Sequence, residues 1–241
     1  MTAGPVRRIE RHPTASYDGS SWPFTLAPVR QLLTDGLDLA PGVTFLVGEN
    51  GSGKSTLVEA VAMAYGLNPD GGSTGAQHRT RESESGLHEA LLVSRTAGAP
   101  RWSYFFRAET MHGLFTYLEG EAASPHDPRF HEMSHGESFL AVLRSRFDGP
   151  GFYLLDEPES ALSFTACLGL VGLFAELAAS GAQVLCATHS PLLAALPGAT
   201  VLELDADGFR QVAWDELEVV AHWRSYLSDP QRYLRHVLST D

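Results

Sequence analysis

Residues 43–62 read VTFLVGENGSGKSTLVEAVA. The first five are β-branched or apolar almost without exception, the pattern of a strand buried on both faces. From Lys54 onward, the Ala, Leu and Glu content is that of a helix. Between them lies Gly48-x-x-x-x-Gly53-Lys54-Ser55, glycine-rich and carrying one lysine. Glycines there let the backbone fold tightly and turn successive N–H groups inward, and the following helix adds the positive end of its dipole. Such a nest suits the β-phosphate of a nucleotide. Lys54 brings a full charge toward the β and γ oxygens, and the Ser55 hydroxyl is placed to bind Mg²⁺. The predicted phosphate-binding set is therefore Glu49, Asn50, Gly51, Ser52, Gly53, Lys54, Ser55 and Thr56. A phosphate loop alone names a cofactor and leaves the reaction open.

Two later strand ends narrow it. FYLLDEP, from Phe152, ends an apolar run in Asp156 and Glu157. At the end of a parallel strand both carboxylates meet the ligand crevice. Asp156 is placed to hold Mg²⁺, directly or through water, and Glu157 to polarise an attacking water as general base. A kinase has no use for a water-activating carboxylate there, so Glu157 points to hydrolysis. The run AQVLCATHS ends in His189, whose imidazole can hydrogen-bond the γ-phosphate or the water. MSHGES, from Met133 to Ser138, contains Ser134 and Glu137 as an S-x-x-E capping box ahead of an apolar helix. Gly136 in that first turn costs helix stability and makes sense where a phosphate approaches the backbone. One phosphate cannot be shared by this site and the first loop within one chain without competition, so a second subunit is implied.

Strands alternating with helices predict a single α/β domain over residues 1–241, with a mostly parallel sheet covered by helices on both faces. An inserted β/helical subdomain is expected over about 69–133. A C-terminal hairpin (200–214) and two closing helices follow, the second with Pro230 at its start. Residues 1–21 read as an irregular arm and PFTLAPVRQLL as strand-like. HEALLVSR and RWSYFFRAE, on either side of TAGAP, read as a hairpin. Net charge is −12, which gives no help toward a nucleic-acid backbone. No apolar run reaches membrane-spanning length, and the N-terminal stretch has no apolar signal core. Cys167 and Cys186 read as buried free thiols of a reducing, cytoplasmic compartment. His126, His131 and His135 read as ordinary histidines rather than a zinc site, and Trp22 and Phe24 as core rather than base-stacking residues.

The order GENGSGKS, MSHGES, YLLDEP, SALS, ATHSP resembles that of the ATP-binding cassette (ABC) ATPases, from about residue 22 to the C-terminus. It looks closest to a soluble, stand-alone bacterial branch allied to the RecF and SMC-like heads. FFRAE and DPQRYLRHVL share that look. The resemblance implies a P-loop NTPase fold, ATP and Mg²⁺ as cofactors, and an ATP-dependent head-to-tail homodimer. Ser134, Gly136 and Glu137 would face the γ-phosphate held by the other copy's Lys54, and Ser160, Ala161 and Leu162 would cross the interface as the D-loop. The pattern departs from the family at Ser163 (often aspartate), His135, Glu137, Ser138 and Glu159 (commonly threonine). No Q-loop glutamine stands out. Gln77 sits in a loop, and Glu109 is better placed to approach Mg²⁺ or water. What the cycle drives stays open between free-standing hydrolysis, a switch for DNA or a protein partner, and the motor of a membrane transporter. A small-molecule kinase comes last.

Overall fold

The computed structural model describes residues 4–73, 85–108, 135–147, 149–160 and 162–238, with the backbone alone at 135–138, 142 and 236. A seven-stranded sheet runs through the centre. It comprises β3 (Gly42–Gly48), β4 (Gly72–Ser73), β6 (Ser103–Arg107), β7 (Phe152–Asp156), β8 (Gln183–Thr188), β9 (Thr200–Leu204) and β10 (Phe209–Gln211). Its order is β10-β9-β3-β8-β7-β6-β4. The five strands from β9 to β6 are parallel, and β10 and β4 are antiparallel edges. A smaller antiparallel sheet, in the order β2-β1-β5, joins β1 (Val6–Arg11), β2 (Leu37–Asp38) and β5 (Leu91–Arg95).

The alternation along β3 shows why the main sheet is covered twice. Val43, Phe45 and Val47 belong to one core with Tyr153, Leu155, Val184 and Cys186, while Leu46 belongs to another with Leu154, Leu185 and Leu202. Successive side chains of a strand point to opposite faces, so both faces must find a layer. On the Leu46 side lie α1 (Ala27–Asp35), α2 (Lys54–Tyr65) and the small sheet. On the other lie α3 (His135–Arg146), α4 (Phe164–Ala179), α5 (Pro191–Ala194) and the start of α6 (Glu218–Ser228). Helix α7 (Pro230–Leu238) follows α6, and the C-terminal hairpin β9–β10 precedes both, as the sequence pattern leads one to expect.

Three local expectations are corrected. PFTLAPVRQLL contains a helix: Val29, Leu32 and Leu33 are buried at helical spacing, Pro28 sits in the first turn, and Gly36 (φ 71°) stops it. The irregular arm contains β1, the middle strand of the small sheet. Its charged residues hide the buried Val6 and Ile9, which a register shift brings to the core. HEALLVSR and RWSYFFRAE do not pair. β5 pairs with β1, β6 pairs with β7, and residues 96–102 carry the chain from one sheet to the other.

The two sheets are tied at the start of β8. Gln183, 1% exposed, accepts the Val6 N–H at 2.8 Å and donates through Nε2 to the carbonyls of Val6 (3.0 Å) and Ala40 (2.9 Å), with Leu39 at 3.4 Å.

Candidate active site at the carboxyl ends of the parallel strands

Strand β3 delivers the phosphate loop between β8 and β9, at the point where successive strands turn to opposite sides, the usual place for a ligand crevice. Two of its glycines are required by geometry. A Cβ on Gly48 would stand 2.4 Å from the Leu204 carbonyl oxygen of β9. Gly53 takes a left-handed conformation (φ 96°) as the N-cap residue immediately before α2. No side chain caps α2, which leaves its first N–H groups to whatever the loop encloses. Lys54, 3% exposed, curls back so that its Nζ donates to the Glu49 carbonyl at 2.8 Å. Desolvation lowers its pKa, and the charges of Glu157, Asp156 and Glu159 act in the opposite direction.

Asp156 ends β7, 7% exposed and in register with Ala187 of β8 and Arg107 of β6. The Arg107 guanidinium lies 3.8 Å from it and 2.9 Å from Glu59 of α2, and reaches toward the Pro69 carbonyl at 3.4 Å. Glu157 is left-handed at φ 47°, alone among the described non-glycine residues. For an L-residue that costs about 1–2 kcal/mol. The turn is held by the Glu157 N–H on the Ala187 carbonyl (3.0 Å) and the Ser160 N–H on the Glu157 carbonyl (3.1 Å). It aims the Glu157 carboxylate at His189, whose Nε2 is 2.7 Å from Oε1. Strain of this kind gathers where a side chain must be aimed.

The structure thus brings Lys54, Asp156, Glu157 and His189 around one crevice mouth. Ser55 and Thr56 open α2 beside them, and Glu49 to Ser52 form the loop's outer limb. Gly136 and Glu137 lie in the first turn of α3, whose side chains there are not described; Ser134, Glu109, Gln77, His126 and His131 lie outside the described residues. Of the proposed D-loop, Ser160 is exposed and Leu162 half-buried. Ser163 has a local role: its hydroxyl caps α4 by accepting the Ala166 N–H at 3.3 Å. Phe24 is buried and stacks on Tyr17 with ring centroids 4.4 Å apart, whereas Trp22, expected in the core, is 53% exposed. A recess of about 880 Å³ adjoins Glu49–Ser52 and His189 and is walled by Trp223, Tyr226 and Tyr233.

Oxygen donors from a serine hydroxyl and one or two carboxylates suit Mg²⁺, which is commonly held by few protein ligands plus phosphates. No cluster of three or more His, Cys, Asp or Glu that could hold a metal exists among the described residues. Sequence reasoning missed Arg107, because β6 was not seen as the neighbour of β7. It noted Glu159 only as a departure.

Two family models match parts of the chain: "AAA domain" over residues 29–98, and "AAA domain, putative AbiEii toxin, Type IV TA system" over 129–195. The cytochrome c biogenesis ATP-binding export protein CcmA of Rhodospirillum rubrum is 32% identical over 182 residues, covering 69% of this chain and 76% of that protein. The chain belongs to the ABC-type ATP-binding proteins. The ribose import ATP-binding protein RbsA of Roseobacter denitrificans is another ABC-type relative, 31% identical over 178 residues. There the match covers 64% of this chain but 34% of the relative, so this chain spans about a third of its length. The ABC fold is also shared with the solved structure "An inward-facing conformation of a putative metal-chelate type ABC transporter", at TM-score 0.50 and 16% identity over 93% of this chain and 89% of that one. The mostly parallel α/β sheet expected from sequence is the sheet of this ABC fold.

Proposed function

We propose that the protein is a Mg²⁺-dependent ATP hydrolase. The observation that carries this reading is the strained turn that sets the Glu157 carboxylate 2.7 Å from His189, beside Asp156 and the buried Lys54. Lys54 and the N–H groups opening α2 bind the β- and γ-phosphates. Ser55 and Asp156 would hold Mg²⁺, with Glu109 as a further candidate. The metal, when bound, neutralises charge on the phosphate oxygens. Glu157 accepts a proton from the attacking water, and the His189 N–H holds that carboxylate in place before ATP binds and turns to the γ-phosphate or the water once it has bound.

Two copies act together in this reading. Ser134, Gly136 and Glu137 of one copy close on the nucleotide held by the other, and residues 160–162 cross between them. ATP then joins the pair, and hydrolysis releases it. The test combines phosphate release with sizing. Wild type should release phosphate from ATP with Mg²⁺ and no acceptor, and lose this in EDTA. Glu157→Gln should bind ATP, fail to turn it over, and run as a dimer. Equal turnover by Glu157→Gln and wild type would refute the reading of the site; a strictly monomeric ATP-bound Glu157→Gln protein would refute the paired arrangement.

A second reading of what the cycle drives is favoured by the names of the relatives, an import and an export ATP-binding protein. In it this chain is the motor of a membrane transporter. No helix among the described residues is long and apolar enough to cross a membrane, and in this reading the chain works with a membrane-embedded partner. Co-purification of such a subunit decides between this and a cytoplasmic switch acting on a protein partner or DNA. The net charge of −12 weighs against the DNA form of that switch.

A further inference from the structure

Strand β8 loses its neighbours at its carboxyl end: its ladder with β7 stops at Ala187 and that with β3 at Thr188. The next two N–H groups, of His189 and Ser190, therefore need other acceptors. Both are taken by one oxygen of Glu159. Its Oε1 accepts the His189 N–H at 2.7 Å, the Ser190 N–H at 3.1 Å and the Thr188 hydroxyl at 2.5 Å. Thr188 is fully buried, and its own Oγ1 also accepts the Ser190 N–H at 3.0 Å. Glu159 lies two residues beyond Glu157 in the same turn. One carboxylate thus joins the turn that carries Glu157 to the backbone that carries His189. Its other oxygen, Oε2, is buried without a hydrogen bond among the described residues.

We propose that Glu159 is a positioning residue for hydrolysis: its carboxylate substitutes for a missing strand and fixes the His189 backbone, so that the imidazole meets the Glu157 carboxylate. This rests on the ATP hydrolase reading of the site. Charge-assisted bonds to backbone N–H groups are stronger than neutral ones, and a carboxylate gathering three donors holds residues 188–190 in one place. Alanine cannot reach any of them. Aspartate is one methylene short. Glutamine keeps the accepting oxygen and places an amide where Oε2 now lies.

The experiment compares Glu159→Ala, Glu159→Asp and Glu159→Gln with wild type in two measurements. In steady-state turnover, alanine and aspartate should lower kcat by about 10- to 100-fold, the scale of a misplaced catalytic group, with KM for ATP changed by less than about threefold. Glutamine should restore kcat to within about fivefold of wild type. In the nucleotide-free protein, NMR of the His189 ring should show alanine and aspartate moving its resonances as Glu157→Gln does, with faster exchange of the His189 and Ser190 amides. Glutamine should leave both near wild type. Unchanged His189 resonances and exchange in Glu159→Ala overturn the proposal, as does equal loss of kcat in the alanine and glutamine variants. Should Glu159→Ala fail to fold, wild-type kcat in Glu159→Asp overturns it. Absence of turnover in wild type would count against the hydrolase reading alone, because the NMR arm needs no ATP.

Discussion

Gln183→Leu isolates the joint between the two sheets. Leucine fills nearly the same volume and keeps none of the hydrogen bonds. The Val6 N–H loses an acceptor at 2.8 Å, and the carbonyls of Val6 and Ala40 lose donors at 3.0 and 2.9 Å. Orphaning one buried N–H costs about 1–3 kcal/mol, and each lost donor contributes about 0.5–1.5 kcal/mol more. A central expectation is about 4 kcal/mol, or a fall in Tm of about 8–16 °C for a domain of this size. The assay is thermal unfolding followed by circular dichroism, backed by urea unfolding. Gln183→Glu sharpens it. The introduced carboxyl would face the same carbonyls, which, with burial, raises its pKa in the folded state above its unfolded value. Stability relative to wild type should then be fully present below the unfolded pKa of about 4.3 and be lost as pH rises through the raised folded value. Because Gln183 opens β8 and the site lies at its other end, the affinity of Gln183→Leu for ATP should stay near wild type below its Tm. A Tm within about 2 °C of wild type would refute the reasoning, since it would mean that these bonds add almost nothing to stability.

Lys54→Ala should abolish the thermal stabilisation by Mg-ATP. For wild type at a hundredfold excess over Kd this is about 2.7 kcal/mol, a rise of about 5–11 °C; an equal rise in the variant would show that Lys54 does not grip the nucleotide. Glu157→Gly should lose turnover and yet gain about 0.5–1 kcal/mol of stability, because glycine accepts the left-handed turn; a lower Tm would argue against strain at φ 47°. Burial raises the thiol pKa of Cys186 well above its ordinary value, and that of Cys167 is raised by burial and the Glu159 charge. Iodoacetamide at pH 8 should therefore label neither in the native protein and both after unfolding, as mass spectrometry would read. Rapid native labelling would contradict the buried positions.

The parts of the site legible in the sequence are those whose meaning is carried by contiguous residues. Gly48–Thr56 announces a loop between strand and helix, and Phe152–Glu157 a buried strand ending in carboxylates, because each needs only its own neighbours to be recognised. Residues whose role depends on a distant partner were not legible. Arg107 matters through Asp156, and only the pairing of β6 with β7 reveals that. Glu159 acts on a strand end some thirty residues further along the chain, where no local pattern points. The same holds for the fold. The charged side chains of β1 concealed its place in the small sheet until β5 was seen beside it. PFTLAPVRQLL reads as strand-like, but Val29, Leu32 and Leu33 meet on one face only at the helical period of 3.6.

The passage of the chain through residues 96–102 from the small sheet to the main one bears on how the molecule can move. Residues 39–41 run from β2 into β3, and Gln183 fastens β1 to the head of β8, so the two layers are joined at several points. A pair of spin labels, one on β5 and one on the edge strand β10, should keep a constant separation whether nucleotide is added or consumed. A constant separation would place any stroke of this protein in bodies larger than a single sheet.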